Sequence, residues 1–405
     1  MARIALAWEL GRSYGHAVSC AGLARSLHAR GHTIAFFFRE LRQLDILPEA
    51  AAYDVFQAPW CRHEGMNESI PASFSDVLLG CGYRSAAELA GLLGGWRTLI
   101  TQWRPHLVVT DYAPTALLAA QSLGVARATY GNGFFTPPRL DPLPPFRYDA
   151  PVDPAALARA DALALAAVNS ALARFGAKPL ARLADMFVTD EDFLCTFPEL
   201  DHYGTRPASG YWGPRMRLDM GADVAWPQGA GPRVFLYVQK YMPAMDALID
   251  SLAAGPYRLL AFVPDLEPAR RARLAGRGRV VLERPVRMDT VLRECDLLVC
   301  LGGEIAHGSL MRGVPVLFFP LHYEQYLTAR RTEQLGAGVS MRLRAQRAEI
   351  DAALSAMTRD TRYRAAAQAF ARRYPAYSPG EQRRRIVQRI EAILSPSPTT
   401  PGTPR

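Results

Sequence analysis

The chain reads as an α/β protein made of two domains with parallel sheets, and three observations predict this. Short apolar runs of strand length alternate with helix-length segments twice over, first from residue 3 and again from residue 234. The strand-like runs are apolar throughout rather than alternating, which marks strands covered on both faces. Between the two series, residues 205–232 lose periodicity and gather Gly and Pro, as a linker does.

The first series opens with a strand at 3–8, a glycine-containing turn at 11–15, a helix at 17–30 stopped by Gly31-His32, and a strand at 33–38. An apolar strand at 106–110 ends on Asp111, a helix follows to Ser122, and 124–129 is the next strand. The proline-crowded stretch 136–154 reads as a loop. The second series runs strand 234–238, helix 243–253, strands 258–263 and 279–282, and helix 288–295. It continues with strand 297–301, helix 304–312, strand 314–319 and helix 326–335. The resulting division is a first Rossmann-like domain at 1–205, a linker at 206–231, a second domain at 232–375, a helix at 376–394 crossing back to the first domain, and a disordered tail at 395–405. The two sheets are expected to face a central cleft, with ligands at the carboxyl ends of the strands. Those ends gather His16 and Asp111 in one domain, and Lys240, Gly302 and Gly303 in the other.

Composition narrows the partners. Half of the 405 residues are hydrophobic, enough for two ordinary cores. No apolar run of bilayer length stands out, and residue 1 leads directly into a strand, so a cytoplasmic protein is expected. The six cysteines form no CxxC pair and no metal spacing, which predicts reduced thiols and no structural zinc. The net charge of +9 comes mainly from arginine, without the basic and aromatic interleaving of a nucleic-acid binder. It leaves open anionic ligands, peripheral membrane contact, or simple arginine bias of composition. The oligomeric state is not legible.

The most informative stretch is DLLVCLGGEIAHGSLMRGVPVLFFPLHYEQYLTARRTEQLGAG, residues 296–338. Gly302 and Gly303 end a strand and open a helix, where free N–H groups and the positive end of the helix dipole suit a diphosphate. This stretch resembles the donor-site motif of the family 1 glycosyltransferases, the UDP-glucuronosyl and UDP-glucosyl transferase-like enzymes of GT-B fold. Gly313, Pro315, Pro320, Glu324 and Gln325 fall on its pattern in register. The resemblance implies that Glu324 and Gln325 bind the donor sugar hydroxyls; as a bare dipeptide they would instead cap the following helix. The histidine that binds the donor phosphates in that family is replaced here by Cys300 or, one residue along, Leu301. Phosphate binding then falls to N–H groups near Gly302 and Gly303, to His307 one turn later, or to a cation such as Lys240 or Arg287. Val286 matches the segment whose backbone meets the donor base, and Tyr211-Trp212-Gly213-Pro214 resembles the segment that precedes the second domain.

In the first domain the resemblance assigns His16 as the base and Asp111 as the acid that orients it. The residues alone also allow His16 to bond a nearby carbonyl and Asp111 to cap a helix. The expected reaction is inverting and metal-independent, with no resident cofactor. It moves a sugar from a UDP- or dTDP-sugar to a hydroxyl of a natural-product or lipid-like acceptor held by loops at 53–94 and 136–154. A sugar-nucleotide epimerase and a non-catalytic nucleotide-sugar binder are the alternatives.

Overall fold

The computed structural model describes residues 1–11, 14–61, 71–146, 151–206, 210–216 and 221–395. They form two units. The first comprises Met1–Pro198, Tyr203–Arg215 and the chain from Ser378 onward; the second comprises Glu199–His202 and Met216–Tyr377.

The first unit holds strands β1 (Arg3–Trp8), β2 (Thr33–Phe38), β3 (Asp54–Gln57), β4 (Leu107–Asp111), β5 (Ala126–Gly131) and β6 (Glu191–Leu194). They pair in parallel in the order β3-β2-β1-β4-β5-β6. Its helices are α1 (Tyr14–His28), α2 (Phe74–Leu78), α3 (Ala86–Trp103), α4 (Pro114–Ser122) and α5 (Pro154–Ala173). Ile4 to Trp8 of β1 are fully buried, which a strand achieves only when helices cover both faces. Ser85 caps α3 by accepting from the Glu88 N–H, and Pro114 starts α4 with the φ a first helical turn needs.

The second unit repeats this plan. Strands β7 (Arg233–Tyr237), β8 (Arg258–Phe262), β9 (Arg279–Val281), β10 (Leu297–Cys300), β11 (Val316–Phe318) and β12 (Gly338–Ser340) pair in parallel as β9-β8-β7-β10-β11-β12. The helices are α6 (Met245–Ala254), α7 (Pro268–Leu274), α8 (Met288–Glu294), α9 (Glu304–Met311), α10 (Tyr323–Gln334), α11 (Arg347–Arg359) and α12 (Thr361–Ala371). Leu236, Val299 and Leu317 of the central strands pack against Leu248, Leu252, Ile350 and Leu354. The last helix, α13 (Pro379–Leu394), belongs to the first unit and packs on α1 through a buried face of Ile386, Val387 and Ile390.

In each sheet the strand order reverses beside its first strand, at β1/β4 and at β7/β10. Loops leaving those adjacent strands part to opposite faces and open a crevice for ligands.

Several expectations need correction. Residues 53–94, read as loop, hold β3, α2 and the first half of α3; residues 62–70 lie outside the described structure. The Ala- and Leu-rich spacing of α3 was the missed signal. The described part of 136–154 is irregular, with 147–150 outside the described residues. The expected linker is not featureless. Tyr211 and Trp212 pair with Leu194 at the end of β6, while Ala222 pairs with Val286 in the second unit; residues 207–209 and 217–220 are not described. The chain also enters the second unit early, at Glu199–His202, and returns. The expected disordered tail lies almost wholly in the undescribed residues 396–405. Finally, α5 is long and apolar enough to cross a membrane, with mean hydropathy 1.3, contrary to the reading that no such run exists. Here its Leu157, Ala164, Val168 and Leu172 are buried in the first unit, so core packing accounts for much of its apolarity.

Candidate active site

The crevice of the first sheet is built around His16 and Asp111. Asp111 ends β4 and His16 lies in the first turn of α1, which follows β1, the neighbour of β4. His16 Nδ1 stands 3.1 Å from Asp111 Oδ1, with the imidazole 8% and the carboxylate 1% exposed. The approach lies outside hydrogen-bond alignment. Trp8, the last residue of β1, stacks on the imidazole at 5.3 Å between centroids, and Phe135 lies 5.4 Å away on another side. Trp8 covers a face of the imidazole, Phe135 lies tilted beside it, and Asp111 faces its Nδ1 edge.

Backbone geometry makes room for this arrangement. Gly11 has φ +78°, and a Cβ there would lie 2.7 Å from His16 Nε2. Only glycine both adopts that backbone and leaves the imidazole its place. Across from it, Tyr112 holds φ +50°, which is strained for a tyrosine, and its carbonyl accepts the Leu10 N–H at 2.9 Å. The strained residue directly follows Asp111 and lays its ring 4.4 Å from Phe135.

Asp111 has a second partner that the sequence did not suggest. Arg215 Nη1 lies 2.7 Å from Asp111 Oδ2 and donates to the Tyr130 carbonyl at 2.8 Å, while its guanidinium sits 4.9 Å over the Tyr130 ring. The Cys20 thiol faces the same oxygen at 3.8 Å. Burial pushes the Asp111 carboxyl up, but Arg215 and then His16 outweigh it, and the group is held below the usual carboxylate range.

In the second unit, β10 ends at Cys300, whose thiol burial pushes up to about 12, so it offers a diphosphate neither cation nor strong donor. Gly302 and Gly303 follow with φ +132° and +76°. A Cβ on Gly302 would press to 3.1 Å from the Cβ of Gln325, while one on Gly303 would meet nothing within 4 Å. Gly302 therefore lets α10 approach, and Gly303 leaves the start of α9 open. Gly303 caps α9 with no side-chain hydrogen bond, and the helix presents its first N–H groups there. His307 does not extend this charge. It is 2% exposed, its Nδ1 lies 3.2 Å from the Gly303 carbonyl, and burial holds its pKa below the ordinary histidine value. A buried imidazole bonded to its own helix is an orienting group rather than a cation.

Glu324 and Gln325 both lie in the first turn of α10. Gln325 Oε1 accepts from the backbone N–H groups of Leu321 at 2.8 Å and His322 at 3.3 Å, so it does cap the helix. Its amide nitrogen is not used in that cap. Glu324 Oε1 stands 3.5 Å from His202 Nε2, which also lies 3.2 Å from the Thr328 hydroxyl. His202 is fully buried and backs the carboxylate. Val286 is buried, and its neighbours Pro285 and Arg287 carry the two hydrogen bonds to Ala222, so the N–H and C=O of Val286 take no part in that pairing. Lys240 lies on the turn after β7, its carbonyl accepting from Arg270 at 3.4 Å. Arg287 is half-exposed, 3.5 Å from Asp223.

The site residues that sequence reasoning missed are Arg215, Tyr112, Gly11 and His202. Arg215 and His202 act across long sequence separations, and no local pattern announces them. Gly11 and Tyr112 were adjacent to the predicted pair; only the backbone angles reveal their part. Among the described residues no group of three or more His, Cys, Asp or Glu side chains converges as metal ligands do.

Residues 269–393 match the family model "Erythromycin biosynthesis protein CIII-like, C-terminal domain". No curated protein sequence matches the chain. Among solved structures, the glycotransferase of kitacinnamycin superposes with a TM-score of 0.70 at 18% identity, covering 97% of this chain and 99% of that one. The spinosyn rhamnosyltransferase SpnG, complexed with thymidine diphosphate, gives 0.66 at 18% identity, covering 94% and 99%. The Streptomyces sp. SF2575 glycosyltransferase SsfS6, also complexed with thymidine diphosphate, gives 0.62 at 19% identity, covering 97% and 100%. Residues 269–393 are therefore similar to the erythromycin biosynthesis protein CIII-like C-terminal domain, and the chain as a whole has the GT-B fold of these glycosyltransferase structures.

Proposed function

We propose that the protein is an inverting, metal-independent glycosyltransferase that moves a sugar from a dTDP- or UDP-sugar to a hydroxyl of a small-molecule acceptor. The observation that carries this reading is the His16–Asp111 pair, 3.1 Å apart at the strand-order reversal of the first sheet, where a base is wanted. The thymidine diphosphate in complexes of SpnG and SsfS6 favours a dTDP-linked donor.

In this mechanism the acceptor O–H gives its proton to His16 as its oxygen attacks the anomeric carbon. The bond from that carbon to the diphosphate oxygen breaks with its electron pair, so a single displacement inverts the centre. Asp111 stabilises the imidazolium that forms. The leaving diphosphate takes the N–H groups at the start of α9 beside Gly303, with Lys240 and Arg287 as the nearby cations. Glu324 accepts donor-sugar hydroxyls while His202 holds it, the Gln325 amide donates, and the backbone of Val286 meets the base. No resident cofactor is required beyond the nucleotide-sugar co-substrate.

The test is incubation with labelled dTDP- and UDP-sugars and a panel of hydroxylated acceptors, with and without chelator. Transfer with inverted anomeric configuration and no chelator sensitivity is expected. His16→Ala is expected to lose about 10²- to 10⁴-fold in kcat, the usual contribution of a general base. Full activity in that variant would remove His16 as the base, and donor isomerisation without transfer would overturn the assignment to transfer.

A further inference from the structure

We propose that Arg215 is a positioning residue for the base: by pairing with Asp111 Oδ2 it anchors the carboxylate that faces His16 and offsets part of its pull on the imidazole. This rests on the reading of His16 as the base.

The geometry is specific. Asp111 divides its two oxygens, Oδ1 to His16 at 3.1 Å and Oδ2 to Arg215 at 2.7 Å. An acid that faces imidazole alone, in a buried site, raises its basicity and favours the imidazolium before any substrate arrives. A guanidinium on the other oxygen offsets that field, and it cannot lose its charge. The Arg215 side chain is 3% exposed and is held by the Tyr130 carbonyl and the Tyr130 ring. A buried cation so anchored is a fixed charge rather than a mobile surface group.

Among the described residues, the other groups against the pair bring no second guanidinium to it. Cys20, on the same helix as His16, presents a thiol to Asp111 Oδ2, and burial raises that thiol well above its usual range, so it stays neutral. Tyr112, after β4, and Trp8, at the end of β1, offer aromatic rings. Glu9, the next residue along from Trp8, turns its carboxylate to the N-terminus of α4, and its backbone carbonyl accepts from Arg39. Arg215 is also the last residue of the first unit before the chain continues at Met216 in the second, so the charge that balances the base arrives on the crossing segment itself.

The test follows the titration of His16 by NMR in ligand-free protein and, separately, the pH profile of kcat/KM. In Arg215→Gln the uncompensated Asp111 is expected to move the His16 titration up by about one pH unit, with the acidic limb of the profile moving the same way. Arg215→Lys, which keeps the charge, is expected to restore both. A folded Arg215→Gln with His16 and the acidic limb unmoved would overturn the proposal and leave Arg215 a purely structural residue. Should Arg215→Gln not fold, Asp111→Asn is compared with Asp111→Asn/Arg215→Gln, in which no charge is orphaned. His16 is expected to titrate lower in the single variant, where the guanidinium stands unopposed, and equal titrations would overturn the proposal. The NMR readout requires no transfer. A wild-type protein that shows the Arg215 effect yet moves no sugar would therefore sink the transferase reading and keep this one, and the reverse pattern would do the opposite.

Discussion

At the scale of single residues, two buried carboxylates near the β1 terminus, Asp111 and Glu9, have opposite electrostatics. Asp111 is buried against the Arg215 guanidinium and is held below the usual carboxylate range, whereas Glu9 is buried with its carboxylate against the Thr115 N–H at 2.8 Å, and burial raises it to about 7. Hydrogen bonds from Thr115 and the charge of Arg39 only partly oppose that rise. The folded pKa is raised from 4.5, so the stability from this group is fully present below about pH 4.5 and is lost as pH rises through about 7. Glu9→Gln keeps an oxygen for the Thr115 N–H and removes the titration. The variant is expected to match the wild type near pH 4.5 and to exceed it by about 3 kcal/mol at pH 8. Thermal unfolding of the two proteins across that range checks this, and a stability difference that does not change with pH would refute it. His16 and Asp111 were legible because each sits at a strand end beside a turn signal. Arg215 was not, because a lone arginine in a Gly- and Pro-rich segment looks like any solvated residue until Tyr130 and Asp111 are seen around it.

At the scale of elements, β10, α9, β11 and α10 form one working assembly. Gly302 lets α10 come close, Gly303 opens α9, and the first turn of α10 carries Glu324 and Gln325. The sequence located all of these, since strand ends, paired glycines and an acid-amide pair are local patterns. It did not resolve which role Gln325 plays, because capping and sugar binding use the same side chain. In the structure Oε1 caps Leu321 and His322, and the amide nitrogen takes no part in the cap. Gln325→Glu keeps the capping oxygen and loses the amide donor. It is expected to unfold within about 0.5 kcal/mol of wild type while raising the donor KM about tenfold, the worth of one hydrogen bond to a ligand. Gln325→Ala is expected to lose both, with about 1 kcal/mol of stability going with the cap. Calorimetry beside donor-dependence kinetics distinguishes the variants. Equal donor KM in wild type and Gln325→Glu would leave Gln325 with the cap alone. The fate of His307 belongs to this scale too. Its spacing from Gly303 suggested a phosphate ligand, but that same one-turn spacing lets the ring bond the Gly303 carbonyl instead.

At the scale of the whole molecule, two sheets of the same strand order come from one repeated pattern of βα units, and that repetition is why the fold class could be read from apolar runs alone. What could not be read is how the chain passes between the units. Glu199–His202 joins the second unit through local anchors: Tyr374 and Arg373 bond Glu199, and His202 backs Glu324. The C-terminal helix α13 returns to the first unit, where Ile386 and Ile390 are fully buried and Gln382 bonds the Gly213 carbonyl. The Arg30–Glu391 pair adds little at this interface, because Arg30 is 60% exposed and its charge is solvated. Apolar burial therefore holds α13, at about 1.5–3 kcal/mol for each large aliphatic side chain. The double substitution Ile386→Ala/Ile390→Ala is expected to remove about 4 kcal/mol or more from the first unit. Hydrogen exchange followed by mass spectrometry locates the loss. Peptides covering α1 and β2 are expected to exchange faster, while those covering β10 and β11 keep wild-type protection, because α13 packs on α1 and its buried face belongs to the first unit's core. Equal loosening of β10 and β11 would mean that the two cores unfold as one and that α13 stabilises the molecule as a whole.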